Sequence, residues 1–577
     1  MLVAAAALLL SHGRNVPGER APCMRLGRPA MAIAPSADVW NPRVKEAWTR
    51  AYASARNVPA EYEIAEITGR IPRGLRGTVF RNGPGNFERG GRRYDHVLDG
   101  DGLLCRFSLD GSSGRAHFMS KFVGTPYLDA EVEADQILYR NTFGTQPRGG
   151  LLANIGRIAL KNPANTHVAV SWGGKCLALW EAALPCRIDP ATLDYLGVET
   201  FDGAGDLPNG GLTITTGLGS DFDRAIGAGV GFTAHPREDR KRRRMVGWTW
   251  AATLAGDSLP ATIREWDSAS GELLHTTPVT LPTALAPHDF ALTDNWYVYV
   301  LNAMELKLAP FVLGLTGPVG ALLTTGEGVT LHLVPRPGGA ASHRGPLTVR
   351  TDDPYFAIHH ATAFEETATE AGASTLRLYT AAWPRVGAGP FLGDWGGAVP
   401  LYDDGKISPT QLLLTTIHVP DAGAGADGGA TVERTSVVGG ACIDHPHVDP
   451  RFDGDPRVRY VYMSYCNAAG ESGSPPIGWA RWDRVTGETQ VWRAPPDTFC
   501  EEVVVIPRPS DATGGGAEDM ADVWVAGMMF DAQRGRSCLA ILDGDQLEAG
   551  PVCQLWLKDA VPHGLHGCFT PEVYGCG

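Results

Sequence analysis

This chain of 577 residues lacks long uninterrupted apolar runs. A helix that crosses a bilayer needs about 20 consecutive apolar residues. The leading run, Leu2 to Leu10, is too short, and the run from Leu308 to Leu323 is broken by Pro310 and Pro318. Neither predicts a spanning helix. Clustered positive charge is also scarce. Lys and Arg number 50 against 64 Asp and Glu, for a net charge of −14. That balance excludes a nucleic-acid partner, which wants a basic face. The one basic run, Arg237 to Arg244, contains Glu238 and Asp239 and reads as a solvated turn. No C-x-x-C pair occurs among 11 irregularly spaced cysteines. A small disulfide scaffold is thereby excluded, and free thiols in a reducing compartment are expected. Long amphipathic helical patterns are scarce too, which argues against a helical bundle.

What remains is β structure. Short strand-like runs recur, among them Thr78 to Arg81, Leu103 to Leu109, Lys175 to Trp180, Trp296 to Leu301 and Leu376 to Ala381. Clusters of Gly, Pro, Asp and Asn separate them, drawn from 71 glycines and 42 prolines. A turn pattern repeats between pairs of such runs. Asp267 leads to Ser270-Gly271, and Asp483 to Thr486-Gly487. Asp110 leads to Ser113-Gly114, and Asp189 to Thr192. Asp opens such a turn by accepting backbone N–H bonds, and Gly supplies the positive φ that closes a hairpin. Repeated hairpins in an all-β chain favour the blades of a β-propeller over a sandwich.

Four histidines stand in short motifs of their own: His235 in Thr-Ala-His-Pro, His288 in Pro-His-Asp-Phe, His359 in Phe-Ala-Ile-His and His566 in Gly-Leu-His-Gly. Imidazole is a preferred ligand for iron, copper and zinc. Ligands spread over more than half the chain meet only where many strands share an axis. A metal on the axis of a propeller satisfies that condition. The chain holds 16 histidines, so satisfied core residues are the competing reading for each.

Further motifs carry a resemblance. Arg81-Asn82-Gly83-Pro84 and Asp99-Gly100-Asp101-Gly102 come early, Val334-Pro335-Arg336 lies mid-chain, and Val561-Pro562-His563-Gly564-Leu565-His566-Gly567 comes last. With the four histidine motifs in this order, the sequence resembles the carotenoid cleavage oxygenases from about residue 60 to the C-terminus. The resemblance implies an all-β, seven-bladed β-propeller with a helical and loop cap over the metal-bearing face, here one domain over residues 38–577. It implies one Fe(II) per chain on His235, His288, His359 and His566, with no carboxylate on the metal. Three acids behind the imidazoles fix their tautomers and offset the charge. They map onto Glu181, Asp444 and Glu502, with Glu501 as a rival of the last. Asp444 stands where the family has Glu, so it must approach more closely or act through a water. Thr362 replaces a usual Asn. His360, His445, His447 and His563 fall outside the metal set.

The implied reaction is cleavage of one C=C bond of a carotenoid or apocarotenoid by O₂, giving two carbonyl products, in a monomer without an organic cofactor. Trp180, Phe290, Phe364 and Phe569 are candidates for the substrate tunnel, with core packing as the alternative. Stilbene cleavage and retinoid-type isomerohydrolysis on the same iron site are the rivals within the family. Stilbene cleavers place a Lys where this chain has Trp180, which favours a polyene. A non-catalytic binding propeller is the rival from another class, and it should carry no iron. The stretch from Leu308 to Leu323 reads either as a peripheral membrane contact or as a buried cap. Met1 to Ala37, apolar and then Arg-bearing, reads as a plastid targeting segment or a disordered leader. Without a targeting role the expected location is cytoplasmic.

Overall fold

Strands form here because β-branched and aromatic residues fill sheets that are covered on both faces. In Trp296–Leu301 all six side chains are buried. The computed structural model describes residues 41–575 except 158, 202–212, 216–228, 254–257, 369–372, 391–407, 421–428, 439–440, 469–472 and 510–521. The leader from Met1 to Ala37 lies outside the described residues.

Seven sheets of four or five strands follow one another along the chain as the blades of a propeller. The first blade runs outward from Gly567–Thr570 through Arg76–Asn86, Asp101–Asp110 and Arg115–Phe122 to Val58–Glu63. The second starts from His167–Ser171, the third from Gly231–Phe232 and the fourth from Ala291–Leu292. The fifth starts from Phe356–Ala368, the sixth from Cys442–His447 and the seventh from Thr498–Pro507. Both chain ends close the ring. The last strand, Gly567–Thr570, is the inner edge of the first blade, and the second strand in the chain, Glu66–Gly69, is the outer edge of the seventh. Blades pack face to face through apolar clusters, such as Tyr462 and Trp479 of the sixth against Val503, Val525 and Met529 of the seventh.

The repeated turns are blade hairpins. Asp267 Oδ1 accepts the N–H groups of Ala269 and Ser270 at 3.0 and 2.8 Å, and Gly271 has φ +74°. Asp483 does the same toward Val485 and Thr486, ahead of Gly487 at φ +75°. In the second blade Leu193 takes this left-handed position at φ +57° without a glycine. The helices Pro126–Ala134, Gly150–Asn154 and Leu308–Val312 lie in the segments that cap the ring, with a small sheet of Met304–Leu306, Leu322–Thr324 and Gly389–Pro390. Among the described residues no helix is long and apolar enough to cross a membrane. The nine described cysteines are free.

Candidate metal centre

The motif histidines reach the ring axis from four different blades. His566 immediately precedes Gly567–Thr570, His235 follows Gly231–Phe232, His288 precedes Ala291–Leu292, and His359 lies within Phe356–Ala368. Nε2 of His288 stands 3.0 Å from Nε2 of His235 and 3.1 Å from Nε2 of His359. The His566 ring centroid is 4.5 Å from that of His235 and 5.0 Å from that of His359. One nitrogen from each of the four lies within 4.8 Å of all the others.

The three other blades supply acids. Glu181, next to the strand Lys175–Leu179, accepts a hydrogen bond from His288 Nδ1 at 2.7 Å. Asp444 in the sixth blade accepts from His359 Nδ1 at 2.7 Å. Glu502 in the seventh accepts from His566 Nδ1 at 2.8 Å, while Glu501 pairs with Arg81 instead. Asp444 thus makes its contact directly, without a bridging water. Burial pushes all three carboxyls up, but hydrogen bonds and charge from neighbouring imidazoles outweigh it. Each is held below the usual carboxylate range.

This arrangement decides where the protons sit. An ionised carboxylate only accepts, so Nδ1 of His288, His359 and His566 must carry hydrogen. When the rings are neutral, as metal binding requires, each Nε2 bears its lone pair, and the lone pairs face one another. Lone pairs about 3 Å apart repel unless a cation lies between them. Two nitrogens each about 2.1 Å from one ion stand about 3 Å apart when their bonds meet at a right angle. The four histidines fit a divalent metal, and the three carboxylates offset its charge.

The early motifs brace this centre. Arg81 donates to Glu501, to Glu502 at 3.3 Å and to the carbonyl of Leu565 at 2.8 Å. The Asn82 N–H donates to the His566 carbonyl at 2.9 Å, and its side chain to the carbonyls of Ala164 and His167. Gly83 meets Gly564 so closely that a Cβ would lie 2.4 Å from the Gly564 Cα. Asp99 accepts the N–H groups of Phe143 and Thr145 at 2.9 and 3.0 Å, tying the cap to the first blade. Arg336 of Val-Pro-Arg bonds Glu265 and Asp239 away from the axis.

Of the aromatic tunnel candidates, only Trp180 faces the cavity above the metal centre. That cavity has a volume of about 450 Å³ and reaches His288, His359 and His566. Trp248, Trp250, Leu306, Leu322 and Phe356 form much of its apolar wall. Phe290, Phe364 and Phe569 are instead packed in the clusters between blades. Neighbouring positions on a strand face opposite ways, so closeness in sequence to a ligand does not place a ring on the cavity wall.

Other histidines crowd the centre. The His445 ring centroid lies 4.9 Å from that of His359, tilted, and 5.2 Å from that of His566, edge-on, His447 bonds Glu502 at 2.7 Å, and the His167 ring lies 5.7 Å from that of His235. His167 carried no motif of its own in the sequence. His360 points the other way, to Thr380 Oγ1 at 2.8 Å, and His563 packs on Trp48. Thr362 Oγ1 accepts the Gly454 N–H at 3.1 Å, a loop contact rather than a ligand contact.

The family model described as retinal pigment epithelial membrane protein matches residues 53–571. Apocarotenoid-15,15'-oxygenase of Synechocystis sp. is 33% identical over 537 residues, covering 91% of this chain and 96% of that protein. Chloroplastic carotenoid cleavage dioxygenase 7 of Oryza sativa is 25% identical over 554 residues, covering 86% of each. The crystal structure of the cobalt-substituted Synechocystis enzyme superposes with a TM-score of 0.75 at 30% identity, over 91% of this chain and 98% of that one. With seven blades, four converging imidazoles and this likeness over nearly its whole length, the chain belongs to the retinal pigment epithelial membrane protein family, that of the carotenoid cleavage oxygenases.

Proposed function

We propose that this protein splits one C=C bond of a carotenoid or apocarotenoid with O₂, placing one oxygen atom on each of two carbonyl products. The observation that carries the proposal is the convergence of lone pairs from His288, His359 and His566, each fixed by its own carboxylate. With His235 they would hold one ferrous ion per chain. Iron(II), when bound there, supplies the O₂ activation that cleavage of the double bond requires. One chain contains all four imidazoles, which supports a monomer as the working unit. The cavity walls exclude water and hold an extended apolar chain in register over the centre. Trp180 offers that chain an aromatic plate, which favours a polyene over a phenolic stilbene.

Access from a membrane is the second part of the proposal. Leu151, Leu152 and Ile155 are 45, 90 and 51% exposed, and Leu313 and Leu315 are 43 and 61% exposed. The two segments touch, since the Gly156 N–H donates to the Val312 carbonyl at 3.0 Å. The second segment also lines the cavity through Leu308, Pro318 and Val319. Exposed apolar surface that adjoins a lipid-substrate cavity supports peripheral contact with a bilayer.

The test is to load purified protein with iron(II) and supply apocarotenals and carotenoids under ¹⁸O₂. Aldehyde products should carry label in both halves, and His288→Ala should form none. Undiminished turnover in that variant would overturn the proposal.

A further inference from the structure

Glu502 differs from the two other acids in one respect. Its Oε1 accepts from His566 Nδ1 at 2.8 Å and also from His447 Nε2 at 2.7 Å. Two imidazoles therefore share one carboxylate oxygen. Glu181 meets His288 through Oε1, while its Oε2 takes the Thr166 hydroxyl at 3.2 Å. Asp444 Oδ1 meets His359 and a backbone N–H, that of His445. Only Glu502 has a second side chain competing at the oxygen that serves the ligand.

That competition has a chemical consequence. A carboxylate behind an imidazole raises the basicity of the nitrogen facing the metal. A second donor on the same oxygen draws off part of that push. Orientation does not depend on the second donor. Glu502 Oε2 is fixed separately, by the Gly567 N–H at 2.8 Å and by Arg81. The His447 side chain is 39% exposed and Glu502 only 2%, so His447 reaches a buried acid from the solvent side.

We propose that His447 is a positioning residue that keeps His566 a weaker donor by occupying Glu502 Oε1, and so favours the ferrous over the ferric state. This rests on the iron reading above. A more basic His566 stabilises the higher charge, so losing His447 lowers the midpoint of the ferric/ferrous couple.

The test compares iron-loaded wild type, His447→Phe and His447→Gln by redox titration, with cobalt(II) absorption spectra as a second readout. In His447→Phe the ferric/ferrous equilibrium should move about tenfold toward ferric, or about 59 mV for a one-electron couple. Its cobalt(II) bands should shift, and the protein should keep its metal. His447→Gln retains an N–H donor and should stay near wild type. An unmoved or raised midpoint in His447→Phe would overturn the proposal. So would loss of the metal, or an equal fall in both variants. Wild type that takes up no ferrous ion would sink the iron reading itself. Iron-loaded wild type with an unmoved midpoint in His447→Phe would sink this inference alone.

Discussion

His359 Nδ1 and Asp444 Oδ1 stand 2.7 Å apart, a direct bond made by the shortest of the three acids. The backbone makes up for the missing methylene. His445 takes φ +49°, and the pairing of its strand slips between Asp444 and His447. In this turn Asp444 Oδ1 also accepts the His445 N–H at 2.7 Å. The site is therefore built for Asp. Asp444→Ala should weaken iron binding about 10- to 100-fold, the usual cost of removing a partner behind a ligand. Asp444→Glu should also bind worse than wild type, because its added methylene crowds His359. Iron titration against a chelator reads both, and Glu equal to Asp would show that the turn does not set the length.

Gly83 and Gly564 define a contact with no room for a side chain. A Cβ on Gly83 would meet backbone, and that backbone leads to His566 three positions after His563. Gly83→Ala should cost about 1–3 kcal/mol of stability, as overpacking does, and should lower iron occupancy. Gly345→Ala is the control. A Cβ there meets nothing within 4 Å, so its effect should stay within about 0.5 kcal/mol. Chemical denaturation and iron content of the two variants decide the matter.

His332 gives a pH dependence remote from the metal. It is buried in the fourth blade, with Nδ1 on Thr348 Oγ1 at 2.8 Å. Burial lowers its pKa to about 4, from an ordinary value of about 6.5. Unfolding frees the ring to protonate. The stability this group contributes is complete above about pH 6.5 and is lost as pH falls toward 4. The loss is on the order of 3 kcal/mol. His332→Phe cannot titrate, so its stability should fall less steeply over that window. Denaturation midpoints of wild type and variant at several pH values test this, and parallel slopes would contradict it.

The repeated Asp turns and the four ligand motifs were legible because their chemistry is local. An Asp that accepts the next N–H groups, or a His beside Gly, Pro or Asp, is visible in a few residues. The parts that were not legible depend on neighbours across the ring. His167 and His447 matter only because the second and sixth blades abut the axis beside His235 and Glu502. Glu66–Gly69 completes the seventh blade from the other end of the chain, which no nearby residue announces. Phe364 shows the same limit: it lies near His359 in sequence, and nearness in sequence does not fix which face its ring takes. Phe364 ends in the core, with the Arg484 guanidinium 5.2 Å from its ring centroid.

The exposed apolar residues beside the cavity give the last prediction. Leu152 and Leu315 project farthest into solvent, from two segments joined by the Gly156–Val312 hydrogen bond. Burying a leucine is worth about 1.5–3 kcal/mol, and each 1.4 kcal/mol is about tenfold in partition. A glutamate at either position also meets the cost of bringing charge to the bilayer. Leu152→Glu/Leu315→Glu should therefore cut binding to phosphatidylcholine vesicles by at least about tenfold. Neither side chain touches the metal centre, so turnover of detergent-dispersed apocarotenal should be unchanged while turnover of the same substrate embedded in vesicles falls. Vesicle flotation and parallel rate measurements separate the two effects. Equal flotation of variant and wild type would assign these leucines no part in membrane contact, and an equal loss of both rates would mean the substitutions had disturbed the cavity instead.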